Sequence, residues 1–250
     1  MNKDEFFIKR IRELANLSYQ RDIVTFSDFL NLNEQNIIND RKNQMPGVVM
    51  ECFGGYEQAE RQMVAFQPDA LYYNWEYPIS CVQVEPLNHR FSEDLSHRDI
   101  LGALMHLGID RSLIGDILIK DKSAYIFCVE KMADFIAKEL YKIKHTQVMT
   151  QRVKPVDLHI EMQYRTEEGF IASNRLDAFV AQACKLSRAQ AAQFILGENV
   201  FINGALVTNH NQGLAEGDVV SLRGHGKLRF EAFLNTTKKG RLHIRYAWYV

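Results

Sequence analysis

The stretch SNRLDAFVAQACKLSRAQAAQFILGENVFINGALVTNHNQGLAEGDVVSLRGHGKLRF, residues 173–230, decides the fold of the C-terminal third. Asn174 can cap a short helix whose buried stripe is Leu176, Phe179, Val180 and Ala183. Asp177 then falls in the first turn, where a carboxylate suits the helix dipole. Ser187 and Gln190 form an S-x-x-Q capping box for a second helix. Ala191, Phe194 and Ile195 face inward there, and Gly197 ends it. Residues 200–202 and 205–207 flank Asn203-Gly204, a dipeptide suited to a type I′ turn, so a hairpin is predicted. Glu216-Gly217-Asp218 makes another turn, and a strand over 219–223 empties into Gly224-His225-Gly226-Lys227. Two short helices followed by short strands make a small α+β unit.

The polar remainder of this unit carries the chemistry. Arg175, Lys185, Arg188 and Gln193 lie on or beside the helices but off the apolar stripes. Arg223, Lys227 and Arg229 flank the glycine-rich turn, where a backbone can approach a ligand closely. Guanidinium forks match phosphate oxygens two at a time, and Asn and Gln amides can reach ribose and base edges. The helix N-terminus at Ser187 adds oriented N–H groups. Residues 173–250 hold 10 Lys+Arg against 5 Asp+Glu, a net of +5, whereas the remainder, 20 against 26, carries −6. Taken singly, each of these side chains reads as solvated surface charge. Taken together, they mark the end of the chain that could meet a polyanion.

Upstream, residues 77–153 have a regular rhythm. A strand is predicted over 79–84, followed by a helix over 97–107 that Ser96 caps, with Asp99 as box partner and Gly108 as stop. Residues 113–119 and 124–129 pair as a hairpin across 120–123. A helix over 131–140 places Met132, Phe135, Ile136 and Leu140 on one face, and a strand over 145–153 closes the unit. The order β-α-β-β-α-β is the ferredoxin-like arrangement, which RNA-binding modules and enzymes share, so it assigns no function. Residues 155–171 alternate weakly and read as an extended connector or an added strand.

The first 75 residues read as mainly helical. Phe6, Phe7, Ile11, Leu14 and Ala15 recur at helical spacing, and a second helix is expected over 34–42 with Asn33 as cap. A strand over 48–53 stops at Gly54-Gly55, and a third helix is expected over 57–66, ending before Pro68. Gly54-Gly55 lacks the G-x-x-x-x-G-K-[ST] or G-x-G-x-x-G context of a phosphate loop and reads as a tight turn. The expected organisation is therefore a helical region over 1–75, a ferredoxin-like (RRM-like) domain with a connector strand over 76–172, and an α+β unit with a basic tail over 173–250.

Composition excludes several classes. A hydrophobic share of 46% with 24% charged residues is that of a globular protein. No apolar run approaches the ~20 residues that span a bilayer. The N-terminal segment mixes charges into its apolar positions and lacks a signal-peptide core, so a cytoplasmic location is expected. Cys52, Cys81, Cys128 and Cys184 show no paired ligand spacing and read as structural thiols rather than a metal site. No cofactor and no small-molecule substrate are expected.

The C-terminal motifs resemble the RNA-binding domain named after small-subunit ribosomal protein S-four. They are R-L-D at 175–177, S-R-x-Q at 187–190, V-x-I-N-G at 200–204 and G-D-V-V-S-L-R-G at 217–224. In that family the two helices and the adjoining loop dock on structured RNA. The resemblance implies Arg175, Lys185, Ser187, Arg188, Gln193, Asn203, Arg223 and Lys227 as RNA contacts, to which the glycine-turn reading adds Arg229; Asp177 is expected to be a structural partner. Upstream, F-G-G-Y-E-x-A-E-R at 53–61, L-S-H-R-D-I-L-G-A-L-M-x-L-G-I-x-R at 95–111, I-G-D-I at 114–117 and K-K-G-R at 238–241 resemble the YlmH family of bacterial proteins. That family is associated with ribosomes, with rescue of stalled large subunits carrying peptidyl-tRNA, and with the cell-division gene neighbourhood. The implied partners are ribosomal RNA, with transfer RNA as a second class, and the large subunit; a membrane is not among them.

Two other classes compete. Domains of the S-four type also occur fused to pseudouridine synthases, whose aspartate nucleophile sits in a G-R-L-D-like motif of a large catalytic domain. The R-L-D of this chain lies inside the binding unit itself. A methyltransferase's glycine-rich nucleotide loop is also missing. His97-Arg98-Asp99 is the most enzyme-like cluster, yet side chains at i and i+2 of a helix diverge, and capping explains Asp99. No catalytic residue is therefore assigned, and Arg98 and Arg111 are kept as secondary RNA contacts. A protein-docking scaffold is the third class.

Overall fold

The computed structural model describes residues 3–45, 47–69, 73–90, 92–154 and 164–249. The chain divides into two compact units, Met1–Ile160 and Glu161–Val250.

In the first unit, α1 (Lys3–Arg21) buries Ile11 and Ala15, whereas Phe6 is 61% exposed. β1 (Thr25–Phe26) leads to α2 (Leu32–Asn39). The cap of α2 is Asn31 rather than Asn33, because Asn31 accepts from the Glu34 amide while the Glu34 carboxylate accepts from Asn31 N–H. The N-x-x-E box fixes the start, and Asn33 falls in the first turn. β2 (Val48–Phe53) pairs with β3 (Met63–Pro68), which also pairs with β1. The helix expected over 57–66 is not formed. Residues 57–62 turn, and the unbroken apolar run Val64, Ala65, Phe66, fully buried, makes a central strand covered by α1. Such a run carries no period that separates helix from strand.

The middle follows the expected order: β4 (Ile79–Pro86), α3 (His97–His106), β5 (Ile114–Lys120), β6 (Ser123–Val129), α4 (Glu130–Glu139), β7 (Lys142–Ile143) and β8 (Thr146–Val153). The sheet order β5-β6-β4-β8-β7 is the split β-α-β pattern. Both helices pack on one face, over Val82, Val84, Ile126 and Val148. α4 points Ala133, Ile136 and Leu140 inward, so Phe135, expected on that face, is 41% exposed. On the other face lie Cys81, Gln83, Glu85, Tyr125 and Phe127, which the pairing registers place together. Part of that face is closed by the Gly54-Gly55-Tyr56 turn: a Cβ on Gly55 (φ +101°) would meet the Phe127 ring at 2.4 Å, and Tyr56 packs on the same ring at 5.1 Å. Gly54-Gly55 is thus a packing turn.

The second unit begins with β9 (Tyr164–Ile171), then α5 (Leu176–Cys184), α6 (Arg188–Leu196), β10 (Val200–Ile202), β11 (Ala205–Leu206), β12 (Val219–Leu222), β13 (Gly226–Thr236) and β14 (Leu242–Tyr249). These strands form one antiparallel sheet, β11-β10-β12-β13-β14-β9. The strand foreseen within 155–171 is therefore an added strand of this sheet and not the close of the middle domain; residues 155–163 lie outside the described ones. The basic tail is half of a long hairpin, with K-K-G-R at its turn. Asn203 (φ 49°) and Gly204 (φ 78°) make the expected I′ turn. Both helices cover one sheet face: Phe179 meets Phe230 and Tyr246 edge-on at 5.6 Å each, above Val220, Leu228 and Ile244.

Candidate nucleic-acid interface

The start of α5 is held from outside the helix. Leu176 N–H and Asp177 N–H donate to the carbonyls of Gln212 and His210. Asn174 is not the cap: its amide brackets Leu214, donating to the carbonyl at 3.0 Å and accepting from the amide at 2.9 Å. The N-cap position belongs to Arg175, whose side chain turns to Asp177 instead.

Asp177 organises the helix face. It is 4% exposed, and its two oxygens accept from Arg175 (Nε 3.1 Å, Nη2 2.9 Å) and from Arg188 Nη2 (3.2 and 2.9 Å). Burial alone would push the carboxyl up, but hydrogen bonds from Arg175 and Arg188 outweigh it and hold the group below the usual carboxylate range. One buried anion therefore fixes two guanidiniums that remain partly exposed, at 37% and 50% of their side chains. Lys185 sits between the helices as the left-handed C-cap of α5 (φ 55°, ψ 41°), its side chain exposed. Ser187 and Gln190 complete the expected capping box. Gln193 lies beyond them on α6, in an open groove with Leu186, Ala189, Gln190, Phe194 and His225. Phe194 stands edge-on to His225 at 5.4 Å, which brings the Gly224-His225-Gly226 turn against α6.

The remaining candidates divide. Asn203 serves the fold: its amide donates to Asp218 at 2.8 Å and accepts from Val219 N–H at 2.9 Å, tying the hairpin to the next turn. Arg223, Lys227 and Arg229 project from the sheet face that α5 and α6 leave uncovered. Arg223 lies 5.1 Å over the Phe201 ring and Lys227 lies 5.4 Å over Tyr249. Arg229 lies 5.7 Å over Tyr164 and 5.9 Å over Tyr249, and donates to the Tyr249 hydroxyl at 3.2 Å. Burial lowers the Lys227 ammonium pKa to about 8. The sequence-derived set is thus two groups on opposite faces of one unit. The rings were missed, because β9 and β14 were not read as partners. The alternation of Ile244, Tyr246 and Trp248 with His243, Arg245 and Tyr249 was the available signal.

In the first unit the two secondary candidates separate as well. Arg98 is exposed, in a groove with His106, Tyr141, Lys142 and Lys144. Arg111 donates to the carbonyls of Ile114 and Gly115 at 2.7 and 3.0 Å, and burial, with Arg61 nearby, lowers its pKa to about 10. It belongs to a network around Asp116, which accepts from Tyr56 Oη, Glu60 N–H and Arg61 N–H at 2.7, 2.7 and 3.1 Å. The Arg61 guanidinium reaches the carbonyls of Ile114, Phe29 and Arg111. The F-G-G-Y-E-x-A-E-R and I-G-D-I motifs therefore meet as a structural joint. Asp99 caps α3 with Ser96 and pairs with Lys144 at 3.2 Å. Burial first, then the nearby Arg111, keep His97 below the usual imidazole range. Among the described residues no group of three or more His, Cys, Asp or Glu could hold a metal ion. No described helix is long and apolar enough to cross a membrane.

Both units have known relatives. Residues 74–157 match the family model described as the putative RNA-binding domain in YlmH, and residues 174–220 match the S4 domain. The ribosome-associated protein quality control protein P2 of Bacillus subtilis (strain 168) is 28% identical over 249 residues, covering 98% of this chain and 95% of its own length. The solved structure described as cell division protein ylmH from Streptococcus pneumoniae shares the fold with a TM-score of 0.53 at 19% identity. That likeness covers 64% of this chain and 96% of the other.

Proposed function

Since the chain belongs to the YlmH family and carries an S4 domain, we propose that it is a non-catalytic, cytoplasmic protein that docks on structured ribosomal RNA of the large subunit and serves the rescue or quality control of stalled translation. Transfer RNA is a second target class, and the family's link to cell division is retained. The name of the Bacillus subtilis relative supports ribosome association. The observation that carries the RNA reading is the Arg175–Asp177–Arg188 cluster. Two guanidiniums share one buried carboxylate beside the first turn of α6, with Lys185 alongside. Arginines held this way have lost their rotamer freedom before the ligand arrives, so less entropy opposes a bidentate phosphate contact. The same cluster argues against the pseudouridine synthase reading. An aspartate that is 4% exposed and occupied at both oxygens is poorly placed to attack a base.

The test uses the full chain and a base-paired ribosomal RNA hairpin in an anisotropy titration. Log affinity should fall with log salt at a slope of roughly −3 to −6, as for four to seven neutralised phosphates. Lys185→Ala with Arg188→Ala should weaken binding at least about tenfold, each charged hydrogen bond being worth about 1.5–3 kcal/mol. Arg98→Ala should weaken it less. A flat salt response would favour a protein-docking scaffold, and equal small losses from both faces would remove α5–α6 as the site. Incubation with ribosomal and transfer RNA should produce no modified nucleoside by mass spectrometry.

A further inference from the structure

The sheet of the second unit has a face on which neither α5 nor α6 lies. The pairing registers align Phe201 with Ser221, Ser221 with Lys227, and Tyr249 with Tyr164, so these side chains form a row across the sheet. The row runs roughly 19 Å, four strand spacings. Each of its three rings has a cation over it: Arg223 on Phe201, Lys227 on Tyr249, and Arg229 on Tyr164. Arg223 and Arg229 are exposed, and neither makes an ion pair with a described carboxylate. The other end of the face differs, because Glu168 there pairs with Arg245 at 3.1 Å and His243 at 3.0 Å. That end has one cation–ring pair, Arg241 5.9 Å over Phe170, against three between Phe201 and Tyr164.

We infer that this half of the face is a stacking platform for two or three unpaired RNA bases, distinct from the α5–α6 surface that meets structured RNA. The occupant follows from the chemistry. The guanidinium planes of Arg223 and Arg229, which lie over Phe201 and Tyr164, and the rings beside them offer stacking surface to bases, while the charge meets the backbone phosphates. A base-paired duplex hides its base faces and could use only the charge. The site extends the RNA-binding reading of this unit to a second face, and it rests on that reading only in the sign of the ligand.

The experiment compares two probes on the full chain at fixed salt: a labelled ten-nucleotide oligouridylate and the base-paired hairpin. Tyr164→Leu with Phe201→Leu should weaken the oligouridylate at least about tenfold and leave the hairpin within about twofold, since a stacked base is worth a comparable factor. Arg229→Gln, an exposed change that spares the core, should weaken the oligouridylate severalfold. Lys185→Ala with Arg188→Ala should do the reverse, losing the hairpin and keeping the oligouridylate. A 4-thiouridine probe should crosslink to Tyr164 or Tyr249. Oligouridylate binding that survives both sheet variants, with circular dichroism unchanged, overturns the platform. So does an abasic oligonucleotide that binds as well as oligouridylate, or a face that captures protein and not RNA. If the hairpin alone fails to bind, the α5–α6 reading falls and the platform stands.

Discussion

The two larger sheets of this chain each bury one face under a pair of helices and treat the opposite face differently. In the first unit, the face of β4 and β6 is partly closed by the chain itself. Phe127 and Cys81 are fully buried, with Gly55 and Tyr56 against the Phe127 ring. Beyond that closure, Gln83 links Gln151 to Glu85 by hydrogen bonds of 2.9 and 2.7 Å. In the second unit, the corresponding face carries Arg223, Lys227 and Arg229 over rings. We therefore place the proposed stacking platform by the side chains of the uncovered face and not by an RRM-like strand order, which assigns no function by itself.

The largest effect is expected where the first sheet is closed. Asp116 is half-buried against two arginines and three hydrogen-bond donors, and the loss of solvent pushes its carboxyl up despite them. Asp116→Ala leaves Arg61 and Arg111 facing each other without their anion, which should cost about 3–5 kcal/mol. Thermal melts of the full chain should show an earlier transition, while hairpin binding below that transition is retained. An unchanged melt would mean the joint contributes no stability. A smaller effect is expected at Asp177. Simple electrostatics predicts that deleting an acid from a basic surface improves RNA binding. The geometry predicts the reverse, because Asp177→Ala frees Arg175 and Arg188 to disperse. Binding should weaken by about 1–2 kcal/mol, less than the loss of a charged hydrogen bond to a phosphate itself. Tighter binding by Asp177→Ala would show that charge outweighs positioning.

Much of this was legible in the chain. Capping boxes at Ser96 and Ser187 and the Asn203-Gly204 turn lie within four residues, and the structure forms all three. What failed was non-local. Met63–Pro68 became a strand because β1 and β2 flank it, which no short window records. The candidate RNA residues were legible as a charge excess, but not as two faces. Arg188 pairs with Asp177 across 11 positions, and Arg229 meets Tyr164 across 65 positions. Arg111 was drawn into the candidate list by its charge, yet its Nη1 is engaged by the carbonyls of Ile114 and Gly115. Charge type is written in sequence; the partner that occupies it is not.

The smallest expected effect separates the two RNA faces by pH. Lys227 lies over the Tyr249 ring with Arg229 and Tyr164 beside it, and burial brings its pKa to about 8 from an ordinary 10.5. Arg229 is held charged by its hydrogen bond to the Tyr249 hydroxyl, which outweighs burial. Tyr249 is itself pushed up by burial against the opposing Arg229 hydrogen bond, so it stays neutral. As pH rises from 7 to 9, the sheet face loses the positive charge of Lys227. Oligouridylate affinity should drop severalfold, with its salt slope shallower by about one, while hairpin affinity holds. Stability moves in the opposite sense. The unfolded chain binds the Lys227 proton more tightly than the folded chain, so between pH ~8 and ~10.5 the fold gains stability as pH rises. Lys227→Met should abolish both trends. Weaker binding alongside a loss of stability would point to general unfolding and not to this ammonium, and a pH-independent oligouridylate affinity would remove Lys227 from the platform.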